Sequence, residues 1–327
     1  MAVHNGQEYV AEALTSLLEQ TYSDLEVIVV DDGSSDDTAA EVTRVADDRV
    51  SLIRLAEPTG DLAITLNAGV ERARAGLIAR MDADDICVPK RLERQVRTMQ
   101  ARHDLGMLGT WVDALDGQGT RWLVSRPPCD DDSIRFILNY RCPFHHPSMM
   151  LRRSVLEAAG GYRAGYRFAE DYDLWRRMIA HGRAANLPEV LLRQRYYSSS
   201  TSGRNRAQQD AVSDRIGAEM LKERLGREVP DDVVAMLREQ EGPMPVRRAA
   251  GGVLSDLYRA CALMPEFGDA PALKKTAANE MVNLAEKGRN RPGTVNAWAA
   301  AFRIDPTTTT RRAVDLAKQT LRRRSPR

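Results

Sequence analysis

The stretch LIARMDADDICVPKRL, residues 77–92, joins a short apolar run to three closely spaced carboxylates, Asp82, Asp84 and Asp85. Open α/β sheets bind their ligands at the carboxyl ends of their strands. Two carboxylates in the spacing Asp-x-Asp can share one hard cation and leave positions around it for phosphate oxygens. The stretch therefore predicts a strand that ends at a cation site, with a solvated acidic turn as the alternative.

The composition limits the class of protein. The chain has 327 residues with 47 basic and 46 acidic side chains, so its overall charge does not indicate a nucleic-acid partner. The four cysteines are scattered and form no Cys-x-x-Cys pair, which argues against zinc or a disulfide framework and favours a reducing cytoplasm. No apolar run approaches the ~20 residues of a membrane span, and the N-terminus does not resemble a signal peptide. We therefore expect a cytoplasmic protein.

Short apolar runs alternate with helical patterns in the N-terminal part of the chain. The clearest run is LEVIVV, residues 25–30, whose β-branched composition predicts a buried parallel strand. Further strands are predicted at 50–55 and 77–81, and helices at 9–19, 39–45 and 60–73. This alternation indicates βαβ units, and hence a mixed, mostly parallel sheet flanked by helices. Residues 106–110 and 122–125 bracket a polar loop, which predicts a hairpin.

Two features concern the limits of the sheet domain. The predicted helix at 9–19 should follow a strand, yet only three residues precede His4. We therefore expect the first strand to be truncated and the natural start to lie upstream; a short strand that begins at Met1 is the alternative. The polar tract after residue 195 marks a domain boundary, with a sheet domain over residues 1–203 and a helical C-terminal region over 204–327.

Four motifs follow one another along the chain: VDDGSSDDT at 30–38, RMDADD at 80–85, PFHHPS at 143–148 and AEDYDLW at 169–175. In this order and spacing they resemble the motifs of the family 2 glycosyltransferases, which have a GT-A fold. Four linked motifs are a specific signal, whereas each alone would be weak. The resemblance implies an inverting enzyme of the bacterial surface-polysaccharide type. Such an enzyme transfers a sugar from a nucleotide-diphosphate donor, such as a UDP- or dTDP-sugar, to a hydroxyl of a glycan or lipid-linked acceptor.

The resemblance also implies roles for the residues at the donor. Asp32, with Asp31 beside it, is expected to bind the nucleotide base. Asp84 is expected to hold a divalent metal, Mn²⁺ or Mg²⁺, on the diphosphate. Asp82 is expected to contact either the ribose or the metal. The remaining residues expected at the donor nucleotide are Val3, Asn5 and Ala83.

Asp171, with Glu170 before it, matches the position of the general base that deprotonates the acceptor hydroxyl. A carboxylate within hydrogen-bond reach can remove that proton as the new bond forms. A helix N-terminus depresses the pKa of a carboxyl, so burial has to offset the helix dipole at Asp171. Tyr197 stands where family members commonly carry a histidine that helps to hold the metal, so the metal site departs from the family pattern.

Aromatic and basic residues allow both a functional and a structural interpretation. Trp111, His146 and Trp175 are candidates for acceptor contacts, with core packing as the alternative. Arginines at positions 91, 94 and 97 follow helical spacing, which predicts a solvent-exposed face. The segment 311–327 is basic and amphipathic, which is compatible with a contact at the inner face of a membrane or with a solvent-facing helix. The sequence leaves the oligomeric state open.

Other functions that use similar carboxylates make different demands. A phospho-acceptor receiver domain pairs aspartates in the manner of Asp31, Asp32 and Asp82. It also requires a lysine after a later strand, and the chain has none between Lys90 and Lys222. A dinucleotide oxidoreductase would need Gly-x-Gly-x-x-Gly after its first strand, and this motif is absent. A nucleotidyltransferase of similar fold and a non-catalytic nucleotide-sugar-binding relative stay as alternatives.

Overall fold

The computed structural model describes the backbone of residues 1–45, 47–197, 201–241, 243–267, 271–286 and 294–324. Within these ranges, the side chains of residues 201, 202, 286, 294–297 and 316–324 are not described. The strands are β1 (Ala2–Val3), β2 (Val27–Asp31), β3 (Val50–Arg54), β4 (Leu77–Ala79), β5 (Ile86–Cys87), β6 (Leu105–Leu115), β7 (Arg121–Ser125), β8 (Met150–Arg152) and β9 (Arg183–Arg195). The helices are α1 (Val10–Leu18), α2 (Thr38–Arg44), α3 (Leu62–Arg72), α4 (Arg91–Ala101), α5 (Asp131–Leu138), α6 (Arg153–Ala158), α7 (Glu170–Met178), α8 (Thr201–Arg204), α9 (Arg206–Leu225), α10 (Asp231–Glu239), α11 (Met244–Cys261), α12 (Pro271–Glu286), α13 (Thr294–Ile304) and α14 (Pro306–Arg324).

Strands β1, β2 and β3 form a parallel sheet in that order. Strand β2 comes from the predicted run LEVIVV and pairs on one side with β1, where Val3 lies opposite Asp31, and on the other side with β3. A parallel bridge joins Ala2 to Asp82, which brings the segment after β4 alongside β1. Because these strands run in the same direction, Asp31 and Asp82 lie at the same edge of the sheet.

The other sheet has the strand order β4-β8-β6-β9-β5, with β7 paired to β6. Its strands pair antiparallel, except for β6 and β9, which are parallel. The mixed α/β fold is therefore confirmed, with parallel pairs β1–β2 and β2–β3 in the first sheet and the long parallel pair β6–β9 in the second. The predicted hairpin is β6–β7, and its turn closes through a hydrogen bond from Gly119 N–H to the carbonyl oxygen of Asp116.

Helix α1 packs against the first sheet. Its apolar residues recur at helical spacing, and Val10, Leu14 and Leu17 are buried in one cluster with Val27 and Val29 of β2. Burying an apolar side chain of this size stabilises a fold by about 1.5–3 kcal/mol. This packing fixes β2 against the helix, and with it the position of the loop that follows the strand.

Arg91, at the start of α4, is fully buried. Its guanidinium donates hydrogen bonds to the carbonyl oxygen of Arg80 at 2.7 Å and to the side-chain oxygen of Gln95 at 3.0 Å. The prediction that Arg91 lies on a solvent-exposed face is therefore wrong, because helical spacing alone does not show which face of a helix meets the core. Arg91 instead fixes the backbone just after β4, next to the carboxylates that follow.

The chain divides into two compact units. The first consists of Met1–Asp131 and Pro143–Val212 and contains both sheets. The second consists of Asp132–Cys142 and Ser213–Arg327 and is helical in its described part. Its apolar core brings together side chains of α5, α10, α11 and α12. A division at residues 203 and 204 stays a prediction.

The last helix in the described part of the chain is α14. In the ranges that the structure describes, none of the helices has the length and apolarity needed to cross a membrane. The predicted basic amphipathic face of residues 311–327 falls largely on side chains outside the described part of the chain.

Candidate active site

The buried guanidinium of Arg80 lies among the carboxylates that follow β4. Only 6% of its side chain is exposed, and it forms an ion pair with Asp82 at 2.5 Å. Asp82, Asp84 and Asp85 each bring one oxygen to within 4.8 Å of the others. These three residues, called the aspartate cluster below, concentrate negative charge at the edge of the first sheet.

Burial and mutual repulsion raise pKa values in the aspartate cluster. Burial, and then the charge of Asp82, raise the pKa of Asp84 to about 6. Burial, and then the charges of Asp82 and Asp84, raise the pKa of Asp85 well above its usual range. The folded protein therefore favours protonated carboxyls at these positions unless additional positive charge compensates them.

The aspartate cluster fits a hard divalent cation. Carboxylate oxygens are ligands that Mg²⁺ and Mn²⁺ prefer. Asp85 Oδ2 is buried and has no hydrogen-bond partner among the residues that the structure describes. A bound cation would interact with such an oxygen and would lower the pKa values of the carboxyls, since nearby positive charge favours their ionised form. The cluster can therefore hold the metal that the sequence predicts at Asp84.

The end of β9 contacts the aspartate cluster. The Tyr197 hydroxyl donates a hydrogen bond to Asp84 Oδ2 at 2.9 Å, and the backbone N–H of Arg195 donates to Asp85 Oδ1 at 3.0 Å. The tyrosine that stands in place of the family's common histidine thus reaches the predicted metal ligand as a hydrogen-bond donor.

The two aspartates at the end of β2 are held by backbone N–H groups. Asp31 is fully buried, and its Oδ1 accepts a hydrogen bond from Ser34 N–H at 2.9 Å. Asp32 accepts hydrogen bonds from Thr59 N–H at 2.8 Å and from Gly60 N–H at 3.3 Å. These bonds fix both carboxylates in the loop beside β1.

The loop after β1 is tied to the loop after β2. Asn5 has a left-handed backbone with a φ of +50°, a conformation that asparagine adopts more readily than most residues. Its side-chain oxygen accepts from Ser35 N–H at 2.9 Å, and its own N–H donates to Ser34 Oγ at 2.9 Å. Val3 and Ala83 are buried. The structure therefore brings the predicted donor residues onto adjacent segments at the ends of β1 and β2 and after β4.

Helix α7 presents Glu170 and Asp171 in its first turn. Glu170 is buried, whereas Asp171 is half-buried and accepts a hydrogen bond from Tyr172 N–H at 2.7 Å. Burial, and then the charge of Asp171, raise the pKa of Glu170 to about 7. Burial also raises the pKa of Asp171, although the Tyr172 N–H and the charge of Arg80 act in the opposite direction. At Asp171, burial therefore outweighs the lowering of the pKa by the N–H groups at the helix N-terminus.

Arg80 acts electrostatically on both groups of carboxylates. Its charge opposes the rise in the pKa values of Asp85, Glu170 and Asp171. The sequence analysis did not assign a function to Arg80. In the sequence, Arg80 is marked only by its position between an apolar strand and the acidic motif. A residue in that position would usually be interpreted as solvent-facing.

His146 and Tyr162 form a buried pair near Arg80. His146 Nε2 and the Tyr162 hydroxyl share a hydrogen bond of 2.8 Å. Burial, and then the charge of Arg80, lower the pKa of His146 well below its usual range, so the imidazole is neutral. Asn67 fixes Tyr162, because its side-chain N–H donates a hydrogen bond to the Tyr162 carbonyl oxygen at 2.8 Å. Tyr162 carries no local sequence signal that would have indicated this position.

The two tryptophans predicted at the acceptor differ in exposure. Trp175 is fully buried and packs edge-on against Phe144 and His146, with ring centroids 5.8 and 5.7 Å apart. A sugar therefore has no exposed face of Trp175 on which to stack, and core packing describes this residue. Trp111 is half-buried, and its indole N–H donates to the carbonyl oxygen of Pro127 at 3.2 Å.

Comparisons of the sequence with known proteins identify its family. Residues 1–160 match the model for Glycosyl transferase family 2. The chain is 35% identical over 207 residues to the O-antigen biosynthesis glycosyltransferase WbnJ of Escherichia coli, over 62% of this chain and 80% of that protein. It is 28% identical over 212 residues to the UDP-Gal:alpha-D-GlcNAc-diphosphoundecaprenol beta-1,3-galactosyltransferase of Escherichia coli, over 63% of this chain and 75% of that protein. The chain therefore belongs to glycosyl transferase family 2, as the motifs predict.

Solved structures support the same fold. S. aureus TarS 1-349 in complex with UDP-GlcNAc has a TM-score of 0.56 at 18% identity, over 88% of this chain and 86% of that chain. The mannosyltransferase PcManGT from Pyrobaculum calidifontis, in complex with GDP-Man and Mn²⁺, has a TM-score of 0.51 at 19% identity, over 99% of this chain and 86% of that chain. The likeness to these structures concerns the fold alone. The predicted GT-A fold and the predicted enzyme class, a glycosyltransferase, are confirmed.

Proposed function

We propose that this chain transfers a sugar from a UDP- or dTDP-sugar to a hydroxyl of a glycan or lipid-linked acceptor, in polysaccharide biosynthesis and with inversion at the anomeric carbon. The observation that carries the proposal is that the aspartate cluster and the carboxylates of α7 lie within the electrostatic influence of the same buried Arg80. A cluster that can bind a cation suits a diphosphate leaving group. A second set of carboxylates suits removal of a proton from the acceptor.

The donor nucleotide is assigned to the segments at the ends of β1 and β2 and after β4. Asp32, beside Asp31, would accept a hydrogen bond from the base. Each carboxylate oxygen has two lone pairs, so Asp32 can accept this bond while it keeps those from Thr59 and Gly60. The other donor contacts are assigned to Val3, Asn5, Asp82 and Ala83. One relative is named as a transferase that uses UDP-Gal, and one structural neighbour is a complex with UDP-GlcNAc; both support a uridine nucleotide.

Asp84 is assigned to a divalent cation, Mn²⁺ or Mg²⁺, together with its neighbours in the aspartate cluster. When bound, the cation would neutralise charge that develops on the diphosphate as it leaves. Two observations support this assignment: the carboxylates lie close enough to share one ion, and the PcManGT complex contains Mn²⁺ with its nucleotide sugar.

The reaction needs one proton acceptor from the protein. The oxygen of the acceptor hydroxyl attacks the anomeric carbon while the bond from that carbon to the phosphate oxygen breaks. The hydroxyl proton passes to the Asp171 carboxylate, and the electron pair of the broken bond leaves with the nucleoside diphosphate. We assign this role to Asp171 because it matches the position of the family's base and because the residue as a whole is half-buried, whereas Glu170 is buried.

Trp111, which is half-buried, is proposed as an acceptor contact, and His146, which is buried, as a residue that supports the acceptor site. The name of one relative includes a diphosphoundecaprenol-linked acceptor, which supports a lipid-linked acceptor here as well. We therefore also propose a location in the cytoplasm at the inner face of the membrane, with the basic C-terminal helix α14 as the segment in contact with lipid head groups.

Asp171→Asn tests the enzyme and its base in one experiment, with Glu170→Gln as the matched control. Asparagine keeps the shape of aspartate but cannot accept the proton. We expect Asp171→Asn to lower kcat by about 10²- to 10⁴-fold, the usual contribution of a general base, while calorimetry shows UDP affinity within about twofold of wild type. Glu170→Gln should have the smaller effect on kcat.

Two results would contradict the proposal in different ways. Near-normal turnover by Asp171→Asn, with loss of turnover in Glu170→Gln, would move the base to the neighbouring residue. A wild-type chain that binds the donor but turns over none of a panel of glycan and polyprenyl-diphosphate acceptors would support the non-catalytic alternative.

A further inference from the structure

Arg195, the last residue of β9, and the next two residues, Tyr196 and Tyr197, form a short segment beside the aspartate cluster, called the β9 segment below. The Arg195 N–H donates to Asp85 Oδ1 at 3.0 Å and the Tyr197 hydroxyl donates to Asp84 Oδ2 at 2.9 Å. Two of the three carboxylates are thus each held by a hydrogen bond from one short stretch of chain. The partners of the second bond are 113 residues apart in sequence, so only the fold brings them together.

Contacts with α1 and the residue before it hold the β9 segment in place. The guanidinium of Arg195 pairs with Glu12 at 2.5 Å and lies 4.8 Å from the ring centroid of Tyr9. The ring of Tyr9 also packs against the ring of Tyr197, with centroids 5.8 Å apart. The ring that carries the phenol is therefore supported by Tyr9 as well as by the hydrogen bond to Asp84.

A hydrogen bond to one oxygen of a carboxylate can improve cation binding by the other. Tyr197 occupies one lone pair of Oδ2 and leaves Oδ1 of the same residue for a cation. Outer-shell partners of this kind orient a ligating carboxylate before the ion arrives, and their loss typically costs about 10- to 100-fold in metal affinity. A phenol is protonated at neutral pH, so it acts here as a donor and not as a charged ligand.

We propose that Tyr197 is a positioning residue for the cation site, which acts by fixing the orientation of the Asp84 carboxylate. The inference rests on the proposed assignment of Asp84 to a divalent cation. It explains how a chain with a tyrosine at this position can still bind a metal: Tyr197 contributes orientation of a ligand in place of a ligand atom.

Mn²⁺ binding to the full-length chain, followed by electron paramagnetic resonance, tests the role of Tyr197. Metal-free protein would be titrated with Mn²⁺ alone and with Mn²⁺ in the presence of saturating UDP. The variants are Tyr197→Phe, which removes only the hydroxyl; Asp84→Asn, which removes the proposed ligand; and Tyr196→Phe as the matched control. The Tyr196 hydroxyl donates to Gln194 Oε1 at 2.9 Å, so its removal leaves the hydrogen bond between Tyr197 and Asp84 in place.

We expect Tyr197→Phe to weaken Mn²⁺ binding by about 10-fold, at the lower end of the range for outer-shell partners, because the aromatic packing is kept. Tyr196→Phe should bind within twofold of wild type, and Asp84→Asn should show no saturable binding. The melting temperature of metal-free Tyr197→Phe should fall by only a few degrees, because one hydrogen bond is lost, whereas a general loss of structure would lower it much further.

Each other outcome overturns the inference, and the outcomes can be told apart. Tyr197→Phe binding within twofold of wild type, or more tightly, would show that the hydroxyl does not help the site. Equal weakening in Tyr196→Phe, or a fall in the melting temperature of metal-free Tyr197→Phe well beyond that of one lost hydrogen bond, would assign the effect to the folding of the β9 segment. Wild type that binds no Mn²⁺ with or without UDP would refute the proposed cation site itself, and the inference with it.

Discussion

Asp84→Asn should stabilise the metal-free protein at neutral pH while it removes the proposed metal ligand. Burial and the charge of Asp82 raise the pKa of Asp84 from its ordinary 3.8 to about 6. Folding therefore disfavours the ionised form of this carboxyl. Asparagine carries no charge at any pH, so the substitution removes the free-energy cost of keeping an ionised carboxylate at this buried position.

The size and the sign of the effect follow from the pKa shift. Between pH 3.8 and about 6 the folded protein keeps a proton on Asp84 that the unfolded chain has released, so stability falls as the pH rises through this window. One pKa unit corresponds to about 1.4 kcal/mol, which gives a cost of ~3 kcal/mol at pH 7.5 but only ~0.5 kcal/mol at pH 4. The neighbouring carboxyls share this proton uptake, so we expect a measured gain for Asp84→Asn of about 1–3 kcal/mol at pH 7.5.

Differential scanning calorimetry of EDTA-treated protein at pH 4 and pH 7.5 measures this gain. For a domain of this size, a shift of about 2–4 °C per kcal/mol is expected. The melting temperature of Asp84→Asn should therefore exceed that of wild type by several degrees at pH 7.5 and by little at pH 4. Asp104→Asn is the control, because the Asp104 side chain is 48% exposed and surface substitutions usually change stability by less than about 0.5 kcal/mol.

Added Mn²⁺ should reverse the order of stability. A ligand that binds only the folded protein stabilises it by about 4.1 kcal/mol at 1,000 times its dissociation constant, which exceeds the gain of about 1–3 kcal/mol expected for metal-free Asp84→Asn. Wild type should gain this stabilisation, whereas Asp84→Asn should gain little. Two results for the metal-free proteins would refute the electrostatic account of the aspartate cluster. One is an Asp84→Asn variant that melts at or below the wild-type temperature at pH 7.5. The other is an equal increase in the melting temperature of Asp84→Asn over wild type at pH 4 and at pH 7.5.

Two further predictions concern buried side chains near the site. Arg80→Met should destabilise the metal-free protein by about 3 kcal/mol at pH 7.5 and by less at pH 4, because it removes the buried partner of Asp82 and a charge that favours the ionised carboxyls around it; equal loss at both pH values in calorimetry would contradict a charge effect. Trp175→Ala should cost about 3–5 kcal/mol, as deletion of a fully buried ring does, and should cost more than Trp111→Ala. A Trp175→Ala variant with near-normal stability in urea denaturation, but with weakened acceptor binding, would instead favour the sugar-stacking role.

Local sequence patterns predicted much of the first sheet and its helices. The run LEVIVV became β2 because its β-branched residues suit a strand buried on both faces. The amphipathic pattern at residues 9–19 became α1, whose apolar face the sheet buries. The carboxylates at the end of β2 and those after β4 come together through β1, which pairs in parallel with β2 and forms a parallel bridge from Ala2 to Asp82.

Contacts between distant segments could not be read from local patterns. Helical spacing placed Arg91 on a regular helix, but its burial depends on carbonyl groups of another segment, such as that of Arg80. The bond from Tyr197 to Asp84 joins residues 113 positions apart, and nothing near either residue in sequence specifies it. The burial of Trp175 likewise depends on Phe144, which comes from a different motif. In each case tertiary packing decides the environment of a side chain whose secondary structure is predictable.

Isothermal titration calorimetry of nucleotide binding tests the central claim most directly. UDP, GDP, dTDP and CMP would each be titrated into wild type and into Asp84→Asn, with and without Mn²⁺. We predict that one diphosphate, UDP or dTDP, binds wild type in a metal-dependent manner, and that Asp84→Asn abolishes the metal dependence. Binding that is equal with and without Mn²⁺ in both proteins would contradict the cation site. The absence of binding for every nucleotide would contradict the assignment of the donor to this edge of the sheet.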